Sequence, residues 1–141
     1  MVRTTLNAAV AVLSVFIASC IPAEAEPSLV SAWQRCEAGK GCVKFAFMPN
    51  GKAIEQFPLS GSVVTAYGRY HIRGTVLKIR WKQFTPTQVC GSNPPNAENN
   101  AKQCAPVTQP DFKGPFHFEG LNALVWFKTD EPPLRLLRIE L

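Results

Sequence analysis

The stretch RYHIRGTVLKIRWK, residues 69–82, decides the fold. Gly74 followed by Thr75 is the pattern of a type II′ turn, the two-residue connection whose twist matches that of the strands it joins. Folding the stretch about that turn pairs Arg73 with Val76, Ile72 with Leu77, His71 with Lys78, Tyr70 with Ile79 and Arg69 with Arg80. Side chains alternate across a strand, so this register gathers Tyr70, Ile72, Leu77, Ile79 and Trp81 on one face. Arg69, His71, Arg73, Lys78, Arg80 and Lys82 share the other. Turn chemistry and apolar pattern agree on an antiparallel hairpin with one buried face and one wet, basic face.

Strand signals continue outward from this hairpin. Residues 42–48 alternate, with Val43, Phe45 and Phe47 on one face, and Asn50-Gly51 is a two-residue hairpin signal because both positions accept positive φ. The return strand spans 52–57, then Pro58, Ser60 and Gly61 break the pattern. Residues 62–67 are rich in Val, Thr and Tyr, and Gly68 separates them from 69–73. Further strands are predicted at 115–119, where Phe116 and Phe118 alternate, at 123–128 and at 134–141. Residues 29–36 suit a short helix or an additional strand. From Thr85 to Pro115 half of the chain's 12 prolines fall among Asn, Gln and Gly, which predicts a long loop. About eight short strands joined by turns make an all-β antiparallel meander, and closure into a small barrel removes its edges.

The opening segment reads as an export signal. Arg3 precedes a mostly apolar run from Leu6 to Ile17, and Ala23-Glu24-Ala25 is a small-x-small cleavage site, giving a signal peptide at 1–25 and one domain at 26–141. Ile17-Ala18-Ser19 before Cys20 also fits a lipoprotein box, which would anchor the chain through a lipid on Cys20. The apolar run is short for a transmembrane span. A periplasmic or secreted address follows from the first reading. Cys36, Cys42, Cys90 and Cys104 remain after processing, an even number in an oxidising compartment, so disulfides are expected. Of the three possible connectivities the two local ones, Cys36 with Cys42 and Cys90 with Cys104, are favoured because each closes a short loop flanked by Gly or Pro. The spacings match no common zinc pattern.

Charge is unevenly spread. The chain carries a formal +5, and no Asp or Glu occurs from Gln56 through Ala97, where Arg69, Arg73, Lys78, Arg80 and Lys82 lie. With His71 these residues form a candidate anion-binding face, suited to an acidic envelope or protein surface rather than to nucleic acid. Such a face also serves simply as a solvated barrier to edge pairing.

Leu29-Val30-Ser31-Ala32-Trp33 resembles the Leu-x-Gly-x-Trp start of bacterial lipocalin-like proteins, with Ser31 in place of the Gly. Phe47, Asn50, Gly51, Gly68, Tyr70, Ile72, Gly74, Leu77, Ile79 and Trp81 follow their aromatic, Asn-Gly and Gly-x-x-Leu rhythm over about half of the mature chain. The resemblance implies a calycin-type barrel that binds small apolar ligands or protein partners, with an Arg closing over the Trp that no position here identifies.

No catalytic constellation emerges. His71 and His117 fall on outer faces, His117 and Glu119 lack a third metal ligand, and Gly61-Ser62 lacks the turn of a hydrolase nucleophile. Asp130 and Glu131 beside Pro132 read as an acidic turn. No metal or cofactor is implied. Phe45, Phe47, Tyr70, Trp81, Phe116, Phe118 and Trp126 either line a ligand cavity or fill the barrel as core. The readings are therefore a monomeric binding protein for a small apolar ligand or an anionic surface, or an interaction or inhibitor protein acting through its outer face and long loop. An enzyme ranks last.

Overall fold

The computed structural model describes residues 27–91, 103–128 and 131–140. The expected signal peptide and Cys20 fall outside the described residues, as do Asp130 and the centre of the long loop. The ten strands are β1 (Ser31–Glu37), β2 (Gly41–Phe47), β3 (Lys52–Leu59), β4 (Ser62–Arg73), β5 (Val76–Thr85), β6 (Gln88–Gly91), β7 (Gln103–Pro106), β8 (Phe112–Glu119), β9 (Ala123–Trp126) and β10 (Leu134–Ile139). Eight of them close into an antiparallel barrel in the order β1-β10-β9-β8-β5-β4-β3-β2, and β6 and β7 form a separate ribbon.

The β4–β5 hairpin has the register its turn chemistry dictates, from Arg73↔Val76 to Arg69↔Arg80. Gly74 takes φ 61 and Thr75 keeps a negative φ, as a type II′ turn requires. Gly68 does not break the chain, contrary to expectation: β4 is one strand of 12 residues with a bulge between Tyr67 and Gly68. A Cβ on Gly68 would lie 2.4 Å from the Arg80 carbonyl oxygen and 2.9 Å from the Trp81 ring, so glycine here admits the close crossing that seats Trp81. The bulge skips Lys82 in the ladder, because Gly68 faces Trp81 and Tyr67 faces Gln83.

Two other expectations are corrected, and one open alternative is resolved. The β2–β3 turn is a three-residue loop: Gly51 N–H donates to Met48 O at 3.0 Å, and only Gly51, at φ 78, is left-handed. Pro49, fixed near the helical φ, occupies the first central position of a type I turn and shifts the glycine one place on. Of the helix or strand that residues 29–36 suit, the strand is formed, over 31–37, where it completes the barrel between β2 and β10. Ile72, placed on the inner face by alternation, is 47% exposed. The β3 partner ends at Lys52↔Arg69, so the tip of the hairpin projects past the barrel wall.

The long loop also contains structure. β6 and β7 pair from Gln88↔Pro106 to Gly91↔Gln103, and a disulfide joins Cys90 to Cys104. Cys36 and Cys42 are bridged across the β1–β2 pair. Both bonds are of a kind that oxidising compartments allow. Among the described residues, no helix is long and apolar enough to cross a membrane.

The core runs along the barrel axis and includes Trp33, Phe45, Phe47, Leu77, Ile79, Leu124, Trp126 and Leu136, all nearly or fully buried. Each such side chain contributes about 1.5–3 kcal/mol by leaving water. The middle of the barrel is thus packed with side chains.

Candidate binding site at the open end of the barrel

The two ends of the barrel are built differently. At one end Trp33 is fully buried, its Nε1 donates to Leu29 O at 2.9 Å, and the Arg138 guanidinium lies 5.0 Å from its ring. Arg138 Nη2 donates to Ser28 O at 3.0 Å, tying the chain start across that end. Phe118 packs 6.0 Å from Trp33.

At the opposite end the wall is incomplete. The β5–β8 ladder stops at Ile79↔Phe112, although β5 continues to Thr85. In place of a strand, Asp111 reaches across, and its Oδ1 accepts from the Trp81 backbone N–H at 3.3 Å. Val107 N–H donates to Thr87 O at 2.9 Å, so the disulfide-tied ribbon delivers residues 107–111 to the rim. Below that rim lies a cavity of about 340 Å³ lined by Phe45, Glu55, Trp81, Gln109, Phe112 and Trp126, with Lys113, Lys128 and Glu131 at its margin.

The lining holds unusual polar groups. Trp81 Nε1, Trp126 Nε1 and Gln109 Oε1 are buried, and none has a hydrogen-bond partner within the described protein. Arg138 Nε, at the closed end, is the other such atom. Glu55 is 6% exposed on the inner face of β3, and its Oε2 accepts from Gln109 Nε2 at 2.8 Å. Burial pushes its pKa from 4.5 up to about 7, against the opposing pull of that hydrogen bond and of the Lys128 charge. Lys128 itself lies 3.5 Å from Glu131 and 5.5 Å from the Phe112 ring.

Of the seven aromatic residues singled out in sequence, Phe45, Trp81 and Trp126 line this cavity. Phe47, Tyr70, Phe116 and Phe118 do not. Phe47 is core and packs edge-on against Tyr70, whose hydroxyl donates to Met48 O at 2.8 Å. Phe116 and Phe118 pack edge-on against each other at 5.7 Å. Sequence reasoning missed Glu55, Gln109, Phe112, Lys113 and Lys128. Only Glu55 left a signal, as an acid between Ala53 and Phe57 on a face that reads as apolar.

The basic residues converge on the outer face. Lys52 faces Arg69, Arg69 faces Arg80, His71 faces Lys78, and Lys78 faces Lys113 across three ladders. Arg69, His71, Lys78, Arg80 and Lys82 line a shallow cleft of about 270 Å³, while Arg73 stands apart at the hairpin tip. Asp111 Oδ2 lies 3.4 Å from Arg80 Nε, an acid from another segment that meets part of this charge. A groove of about 450 Å³ over the bulge continues the cleft with Met48, Ile54 and Tyr67. It is larger than the cavity but lies on the outer surface. His117 sits 4.0 Å from Glu119, which Arg135 also holds at 2.8 Å. No group of three metal-ligating side chains occurs among the described residues.

Comparison with family models, with curated proteins and with solved structures finds no match to this chain.

Proposed function

We propose that the chain is an exported, lipocalin-like binding protein that holds a small ligand at the open end of its barrel. The observation that carries this reading is an open cavity of about 340 Å³ where the wall stops short, with aromatic walls from Phe45, Trp81, Phe112 and Trp126 and the buried Glu55 among its lining. A ligand's apolar body meets Phe45 and Phe112 there while its polar end meets Glu55 and the Lys113 and Lys128 margin. The ligand is therefore amphipathic rather than a bare hydrocarbon. The closure of Trp33 by Arg138 supports the lipocalin-like reading, as that resemblance calls for an Arg over the Trp. The disulfides support the periplasm or the exterior as its compartment, as a released protein or one anchored through Cys20.

Native mass spectrometry of protein purified from its own envelope or medium tests this reading. The expected result is a retained small molecule that is lost from a Phe112→Ala variant of unchanged fold. The chain mass alone in every preparation would overturn it.

A second reading has its own support in the opposed cations of β3, β4, β5 and β8, which a neutral role does not require. In it the outer face docks an anionic envelope surface. Replacing Arg69, Lys78 and Arg80 with Gln should then weaken retention on vesicles of acidic phospholipid in a salt-dependent way. Unchanged retention at every salt concentration would reduce the face to a solvated wall.

A further inference from the structure

The open end of the barrel holds a second cleft beside the cavity. It measures about 370 Å³ and lies at the ends of β1, β2, β3 and β10, with Val43, Phe57 and Leu134 as its apolar wall and Arg35, Glu37 and Lys40 at its rim. Glu37 is held by both cations, so that rim is largely paired. The cavity and the cleft share Glu55 and Gln109 and no other described residue. What divides them is one side-chain pair, in which Gln109 Nε2 donates to Glu55 Oε2 at 2.8 Å. Gln109 belongs to residues 107–111, a strap anchored at each end: Val107 is buried and its N–H is bonded to Thr87 O, and Asp111 is bonded to the Trp81 backbone. Between these anchors Thr108 and Pro110 are exposed, and the bond to Glu55 is what holds the middle of the strap down among the described residues.

That fastening is weak. Gln109 Oε1 is buried without a partner, and Glu55 is buried without an ion pair, among the described residues. The net gain from one hydrogen bond is no larger than the cost of one buried polar atom left unpaired, so the pair closes the mouth with little to spare. It also displays what Glu55 accepts, namely the N–H of a planar, uncharged amide placed between two apolar walls. Trp81, Phe112 and Trp126 stand on one side of it, and Val43, Phe57 and Leu134 on the other. Resting on the reading of the open end as a ligand site, we propose that cavity and cleft are one site, whose ligand is an elongated, uncharged amphiphile with an amide-like N–H between two apolar parts that takes the place of Gln109 on Glu55. Its ring meets the aromatic side, its chain lies along Phe57, and its N–H donates to the carboxyl group at the centre. Each space alone is near the lower limit of a small-molecule site, whereas the two together lie well inside the usual range. Charge on the ligand gains no net partner in the cavity, because Asp111 is met by Arg80 and Glu131 by Lys128, and Glu55 and Lys113 are one of each sign.

Three dansyl probes, followed by energy transfer from the tryptophans, test this. Dansylamide is the ring with its sulfonamide, N-octyl dansylamide adds a chain beyond a central N–H, and the N-methyl derivative of the octyl probe keeps ring and chain but lacks the N–H. The octyl probe should bind at least about tenfold more tightly than dansylamide, through burial of its chain. N-methylation should remove about tenfold of that affinity, as loss of one buried hydrogen bond does. Phe57→Ala should weaken the octyl probe about tenfold and leave dansylamide unchanged, and the retained dansylamide binding shows that the variant is folded. Gln109→Ala, which takes the competitor off Glu55, should tighten the octyl probe, whereas loss of a residue that merely braced the rim would weaken it. Equal affinity for the octyl probe and dansylamide, or octyl binding untouched by Phe57→Ala, would overturn the joined site while leaving the cavity as a ligand site. N-methylation without effect, or weaker octyl binding in Gln109→Ala, would overturn the exchange on Glu55. Failure of all three probes to bind would overturn the proposal together with the open-end site on which it rests.

Discussion

The closed and open ends of the barrel put the same residue type to opposite uses. Trp33 is sealed by an arginine, and its indole N–H is matched to a carbonyl 2.9 Å away. Trp126, at the other end, is as well buried and Trp81 nearly so, but both leave their N–H groups without a partner among the described residues. The closed end matches its indole and ties down the chain start, leaving only Arg138 Nε without a partner among the described residues, and is built for stability. At the open end the ladder between β5 and β8 stops short, and a carboxyl group is buried without a counter-ion. Natural chains tolerate such local cost where function needs it. The contrast therefore teaches where to look for a ligand in a barrel whose middle is full.

The largest expected effect lies at the closed end. Trp33→Ala should cost about 3–5 kcal/mol in urea denaturation, through lost burial and the cavity left behind. Should that variant fail to fold, Trp33→Phe, which removes the N–H and part of the ring, should still lower the urea midpoint more than Trp126→Phe, whose N–H has no partner to lose. Equal losses would erase the contrast between the two ends.

Glu55 sharpens the comparison through pH. Its folded pKa of about 7 is raised from 4.5, so its contribution to stability is full below pH 4.5 and is lost as pH rises through about 7. The difference amounts to about 3 kcal/mol. Glu55→Gln cannot ionise, so its urea midpoint should exceed that of wild type by a matching amount at about pH 8 and converge with it at about pH 4. Parallel profiles would place the carboxyl group in water rather than in the wall.

Removing the bridge between Cys36 and Cys42 should cost about 2 kcal/mol, because it closes a short loop within the barrel wall. Removing Cys90–Cys104 should act chiefly on the rim, because that bridge lies in the separate ribbon that leads into residues 107–111. Limited proteolysis should show cleavage in the ribbon with the barrel intact. A barrel that falls apart instead would make the ribbon part of the core.

The smallest effect lies on the outer face. Lys78 stands between His71 and Lys113, so Lys78→Glu should stabilise the sheet by about 0.2–1 kcal/mol in thermal denaturation. A destabilised variant would mean that this charge row is screened more fully than its register implies.

Much of this architecture was legible in the chain. Gly74-Thr75 with flanking alternation set the β4–β5 register residue by residue, since a one-residue slip would have turned Leu77 and Ile79 to water. The spacing of the cysteines anticipated both bridges. Gly68 misled because a glycine that ends a strand and one that lets another chain pass close look alike in sequence; the Arg80 backbone and the Trp81 ring decide between them.

What the sequence by itself determined is local: alternation, turn residues and cysteine spacing specify strands, hairpins and bridges through interactions between near neighbours along the chain. The site was decided by tertiary structure alone. Glu55 meets Gln109 across 54 positions of sequence, and Asp111 meets the Trp81 backbone across 30. Neither contact leaves a periodic trace, because each depends on where the ribbon returns the chain to an unfinished wall. Burial raises the affinity of Glu55 for its proton, and burial belongs to the closed barrel rather than to any segment of it.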